Sequence, residues 1–200
     1  MSGSFNETKF AAFIANINLQ HFGYEELLVG RYKADNGPPP EHLWDNIVPT
    51  IVVLDALREE YKASIKLISV YRTEAYNDPT KHPGRAPTST HQAFSAVDFQ
   101  VDGVKPDNVR AKLREWECCK VFWSGYEFKR VDAKLSTGKV IKMGPMWKMR
   151  PAGAYWGVEF QFRGYVKSYG ASFTHLDTRG LTNSSPGDTH HGEGADEWAG

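Results

Sequence analysis

The chain has 200 residues, and its 24 Lys and Arg balance 24 Asp and Glu, so the formal net charge is zero. This length suits one domain with extensions and a hydrophobic core that needs no disulfide. A general polyanion-binding surface would want a basic excess, so no nucleic-acid partner is expected.

The N-terminal stretch Met1-Ser2-Gly3-Ser4 has neither a basic region nor an apolar run, so no secretory signal is expected and synthesis begins in the cytoplasm. Ser4 and Glu7 have capping-box spacing, and Phe10, Phe13, Ile14 and Ile17 follow at helical spacing. This predicts a helix ending near Asn18. Tyr24 to Leu28 adds a turn, and Asn36-Gly37-Pro38-Pro39-Pro40 is a rigid turn. From Glu41 to Tyr61 the pattern is helical, with Leu43, Ile47, Ile51, Leu54 and Leu57 on the buried face. Pro49 inside it requires a kink or two consecutive helices. The most apolar run, Ile47 to Leu57, is short and broken by Pro49, Thr50 and Asp55, so no membrane insertion is expected.

Ile65 to Val70 reads as a strand, Thr73 to Thr90 as a long polar loop, and Ala96 to Val101 as a second strand. Pro106 opens a helix running to about Cys118, with Val109, Leu113 and Trp116 inward. Cys118 and Cys119 are adjacent and poorly placed to bridge each other, so both are expected reduced. Short β-like pieces follow at 121–123, 127–131, 139–142, 155–162 and 165–168, with Ser136-Thr137-Gly138 as a hairpin turn. Phe173 to Leu176 is a last strand. From Asn183 the chain is polar and reads as a tail, in which His190 and His191 offer at most adventitious metal binding. The six Trp are abundant enough to raise carbohydrate binding, although aromatic rings more often build core. Helices come first and strands follow, so the fold class is α+β: N-terminal helices packed on a mainly antiparallel sheet.

Two distant stretches carry the chemistry. The first is Ser89-Thr90-His91-Gln92-Ala93-Phe94-Ser95-Ala96-Val97-Asp98; the second is Phe173-Thr174-His175-Leu176-Asp177-Thr178-Arg179-Gly180. Together they offer His, Asp and His, the donor mix of a catalytic zinc that keeps a position open for water. Asp98 sits among apolar neighbours, where a carboxylate is costly unless paired or coordinated. His175 and Asp177 alternate along a strand and so face one side of a sheet.

The pattern Ser-x-His-x-x-x-x-Ala-x-Asp, followed much later by a strand bearing His, resembles the zinc D-alanyl-D-alanine peptidase family, which shares its fold with the Hedgehog signalling domain. Upstream, Ser69-Val70-Tyr71-Arg72-Thr73-Glu74-Ala75-Tyr76-Asn77 resembles the segment that precedes the first zinc motif there, and the ending at 173–180 resembles that of small bacterial and phage relatives. The resemblance covers roughly Tyr24 to Gly180. It implies His91, Asp98 and His175 as ligands of a Zn2+ cofactor, and Arg72 as the group that meets a substrate carboxylate or oxyanion, with an ion pair pinning the loop as the alternative. Ser89 and Tyr71 would border the substrate, Ser89 shaping the ligand loop and Tyr71 chiefly packing. The family usually has Gly where this chain has Val70 and Phe94. Its best-known members carry a Glu or a second His just before the last ligand, where Ser172 and Phe173 stand here. The general base is therefore open: Asp177 is the candidate, its alternative role being to orient a ligand, and Glu159 is a weaker candidate.

The division this implies is a single peptidase-like domain over 1–182, with an N-terminal helical extension at 1–22, a β-rich insertion at 120–164, and a tail at 183–200. The expected activity is a zinc metallopeptidase, carboxypeptidase or endopeptidase, acting on peptidoglycan peptide as a monomer in the cell wall or periplasm, with phage delivery, as in an endolysin, as one route. The competing expectation is a cell-wall-binding or virion structural protein that keeps the fold without turnover.

Overall fold

A computed structural model of the chain describes residues 5–117, 119–146, 148–151 and 156–180. The expectations for Ser4, Cys118, His190, His191 and the tail lie outside these residues.

Helix α1 (Glu7–Ile17) is capped by Asn6, whose side chain accepts from the Lys9 N–H at 2.9 Å, so the cap is one residue before the helix rather than at Ser4. Its Phe10, Phe13, Ile14 and Ile17 are buried, which makes this extension part of the main core. A single turn, α2 (Tyr24–Leu27), follows. The long helical stretch resolves into a 3-10 segment (Glu41–Ile47) and α3 (Val48–Tyr61). Pro49 falls in the first turn of α3, where a missing N–H leaves no helical hydrogen bond unmade.

Then come β1 (Ile65–Ser69), a 3-10 turn (Thr90–Ala93), β2 (Ala96–Val101) and α4 (Pro106–Trp116). The next region forms β3 (Phe122–Ser124), β4 (Ala133–Lys134), β5 (Val140–Ile141), β6 (Lys148–Pro151) and β7 (Val158–Gln161). It closes with β8 (Tyr165–Tyr169) and β9 (Phe173–Asp177). The expected strand at 127–131 does not form. Its backbone is claimed by side chains of the first 3-10 segment: Lys129 N–H donates to Asp45 at 2.6 Å, and Asn46 both accepts from Val131 N–H at 2.9 Å and donates to its carbonyl at 3.0 Å. The Ser136–Gly138 turn does join a hairpin, β4 to β5.

The main sheet is antiparallel in the order β1-β2-β9-β8; β3, β7 and β6 form a second sheet. On one face of the main sheet Phe99 lies opposite Thr174, and Val97 opposite Leu176, which is itself opposite Val166. Thr174 and Ser168 on that face donate to Pro106 and Asp107, so α4 covers it. The opposite face carries Asp98 and His175. A bulge between Leu67 and Ser69 brings Ser69 opposite Asp98 and turns the chain after β1 towards that face. The α+β architecture with an antiparallel sheet stands as expected. Among the described residues, no helix is long and apolar enough to cross a membrane.

Candidate metal centre

Asp98 on β2 and His175 on β9 are cross-strand partners, so the pleat places both side chains on one face. His91 comes from the 3-10 turn just before β2. Ser89 caps that turn, accepting from His91 N–H, while its own N–H donates to Gln92 Oε1 at 2.7 Å; this capping box fixes the direction in which His91 leaves the backbone. Ser89 thus shapes the loop.

The turn ends at Phe94 in the left-handed region, φ 54° and ψ 41°. That conformation favours glycine, and a bulky residue there is strained by roughly 1–2 kcal/mol. Phe94 is fully buried, with its ring 6.2 Å from that of Phe10 in α1 and 6.1 Å from that of Tyr71. Aromatic burial holds the turn where a glycine would adopt it freely. Tyr71 packs here, partly buried against the core, and burial pushes its hydroxyl pKa up to about 12.

Three donor atoms converge within 4.8 Å of one another: His91 Nε2, Asp98 Oδ1 and His175 Nδ1. His91 Nε2 is 3.2 Å and His175 Nδ1 2.8 Å from Asp98 Oδ1. Zinc–ligand bonds of about 2.0–2.2 Å at tetrahedral angles put ligand atoms about 3.3 Å apart, so the donors are near coordination spacing. The outer nitrogens fix the tautomers. His91 Nδ1 lies 2.7 Å from the Val70 carbonyl, which can only accept, so Nε2 of the neutral ring is a lone pair aimed at a carboxylate. His175 Nε2 faces Asp177 Oδ2 at 3.5 Å and holds a proton there, leaving Nδ1, beside Asp98, to carry a second proton or a metal. His91 Nε2 presents a lone pair beside the carboxylate, and His175 Nδ1 can exchange its proton for a metal, so the donor set fits a divalent cation.

The two rings differ in charge. Burial lowers the pKa of His91 and keeps it neutral. Burial alone would also lower His175, but hydrogen bonds and charge from Asp177 and Asp98 outweigh it and raise the ring to about 9. Burial would raise Asp98, yet the two imidazoles hold it well below the usual carboxylate range.

Arginines close both carboxylates. Arg72 donates from its guanidinium to Asp98 Oδ2 and from Nε to Ser69 Oγ at 2.9 Å, the ion pair that pins the loop. Asp177 is fully buried. Its Oδ1 accepts from Arg179 N–H at 3.1 Å and Nε at 2.9 Å, and its Oδ2 from the same guanidinium at 2.6 Å and from Thr90 at 3.3 Å. Arg179 was part of the second motif but carried no sequence-based role; its spacing two residues after Asp177 was the available signal. Glu159 lies on β7, in the second sheet, paired with Arg150 at 2.7 Å.

The two halves are stapled beyond the centre. Thr178 N–H donates to the Ser95 carbonyl at 3.2 Å, and the Thr50 and Thr178 hydroxyls meet at 2.7 Å. Arg130 donates to the carbonyls of Thr178 and Gly144, binding the segment after β9 to the β-rich region. Gly180 sits against it at φ 78°, where a Cβ would come within 2.5 Å of the Gly144 and Pro145 carbonyls.

A family model described as Peptidase M15 matches residues 20–131, which takes in Arg72, His91 and Asp98 and ends before His175. No curated protein and no solved structure matches the chain. Since the family model spans more than half of the 200 residues, the chain belongs to the peptidase M15 family, the zinc D-alanyl-D-alanine carboxypeptidase-like group that its motifs resemble.

Proposed function

We propose that this protein is a zinc-dependent peptidase that hydrolyses peptide bonds of the bacterial cell wall, in the peptidoglycan stem or cross-bridge. The observation that carries the reading is the buried convergence of His91 Nε2, Asp98 Oδ1 and His175 Nδ1, with both outer imidazole nitrogens engaged. When bound there, zinc would supply a Lewis acid for the scissile carbonyl and an acidified water. The protein's own residues prepare that place. Val70 and Asp177 engage the outer nitrogens of the two rings, and Arg72 orients Asp98. Asp177 has its oxygens engaged by Arg179 and Thr90, so we assign it the orienting role rather than that of general base. The chain is read as one peptidase-like domain over 1–182, with 120–164 inserted between the two motif halves, acting on peptidoglycan peptide at the cell wall.

One observation favours a second reading, a cell-wall-binding or virion structural protein: both carboxylates of the centre are closed by arginines. Metal analysis and muropeptide release separate the two. The peptidase reading expects one zinc per chain, released stem or bridge fragments, and loss of release in His175→Ala with the fold retained. Stoichiometric zinc without cleavage of any muropeptide would favour the binding protein. A folded protein that takes up no zinc would defeat both metal-based readings.

A further inference from the structure

Strand β8 carries two phenols, one on either side of His175. Lys167 lies opposite His175, so Tyr165 and Tyr169, two positions before and after it, share that face and are diagonal neighbours of the imidazole. Diagonal neighbours across a strand pair lie about 7–8 Å apart, within reach of aromatic side chains. The two phenols differ in their surroundings. Tyr165 lies opposite Asp177 and is buried, its ring 6.0 Å from that of His175 and tilted by 55°. Tyr169 is half-buried, and its ring stacks at 4.6 Å and 20° on Phe173, directly across the β8–β9 pair. The charges of the centre reach its hydroxyl: burial chiefly raises the pKa, with Asp98 adding to the rise and Arg72 opposing it. The phenol therefore keeps its proton in neutral solution and is a hydrogen-bond donor. Arg72, expected from the sequence to meet a substrate oxyanion, is turned onto Asp98 and Ser69.

We propose that Tyr169 is a catalytic residue, its hydroxyl donating a hydrogen bond to the scissile carbonyl oxygen as negative charge builds on that atom. This rests on the peptidase reading and adds a donor to it, since the Arg72 guanidinium is already engaged by a ligand. Donors stabilise an oxyanion best when they are in place before the charge develops. The stack on Phe173 provides that, because it fixes the plane of the Tyr169 ring. A phenol is longer than an imidazole. Rooted on the strand beside His175, it carries its hydroxyl past the level of the ligating nitrogens, where a carbonyl held at the centre would lie. Tyr169 also keeps contact with solvent, and hence with an entering substrate, whereas Tyr165 is closed off. No proton leaves the phenol; its hydrogen bond strengthens as the acceptor gains charge.

The test is Tyr169→Phe in the intact zinc-loaded protein, which keeps the ring and its stack and removes only the hydroxyl. Its kcat for muropeptide release should fall by about 10²–10³, the scale of one lost oxyanion donor, with KM and zinc content near those of the unsubstituted protein. Calorimetry gives a readout independent of turnover. The phosphinate analogue of D-alanyl-D-alanine, a tetrahedral anion, should bind Tyr169→Phe at least about tenfold more weakly, as expected for one lost charge-assisted hydrogen bond. Tyr165→Phe should leave both quantities near those of the unsubstituted protein. An unchanged kcat, a phosphinate affinity equal to that of the unsubstituted protein, or a loss confined to Tyr165→Phe overturns the assignment. If the unsubstituted protein releases no muropeptide, the peptidase reading fails on that result alone. The phosphinate affinities then decide the role of Tyr169, and equal binding or none rejects it.

Discussion

His91 and His175 present different ring nitrogens to one carboxylate oxygen because each has its other nitrogen claimed, by the Val70 carbonyl and by Asp177. This gives a pH dependence with a definite sign. In the metal-free protein His175 has a folded pKa of about 9, raised by Asp177 and Asp98 over the opposing effect of burial. Its ordinary value is about 6.5. A raised folded pKa contributes stability that is fully present below the unfolded value and is lost as pH rises through the folded one. Thermal unfolding of chelator-treated protein should therefore show Tm falling between about pH 6.5 and 9. Saturating zinc should flatten that slope, because the metal takes the lone pair that the proton otherwise occupies. A Tm that rises across this window without metal would contradict the pairing of His175 with the two carboxylates.

At the scale of elements, the centre depends on a strand pair and on a helix outside the matched family region. The β2–β9 pairing supplies Asp98 and His175 in register, and α1 supplies Phe10 against Phe94. Two effects compete at Phe94. Replacing it with Gly relieves a left-handed backbone by roughly 1–2 kcal/mol but removes a fully buried aromatic side chain, which costs about 3–5 kcal/mol. Packing wins, so Phe94→Gly should be destabilised by on the order of 2–3 kcal/mol in urea unfolding. A more stable variant would mean that strain, not packing, dominates the turn. Local patterns such as the α1 face, the Pro49 junction and the exact span of β2 were legible because helical and strand periods are written in adjacent residues. The stretch at 127–131 was misread because strand-like composition does not say where its N–H groups go; they go to Asp45 and Asn46, more than eighty positions away.

For the whole molecule, the family match ends at residue 131, and the third donor arrives from beyond the β-rich region. The identities of His91, Asp98 and His175 were legible as motifs, but their meeting was not. It depends on a pairing between residues 77 positions apart, and on a bulge in β1 that no periodicity encodes. The roles of Arg72 and Asp177 also needed the fold: only there do the arginines close on the two carboxylates. The most direct test of the central claim is a crystal structure of the zinc-soaked protein with anomalous differences recorded across the zinc edge. The account predicts one strong peak per chain, bonded to His91 Nε2, Asp98 Oδ1 and His175 Nδ1 at about 2.0–2.2 Å. A peak elsewhere, or no peak while the three side chains keep their present positions, would contradict it.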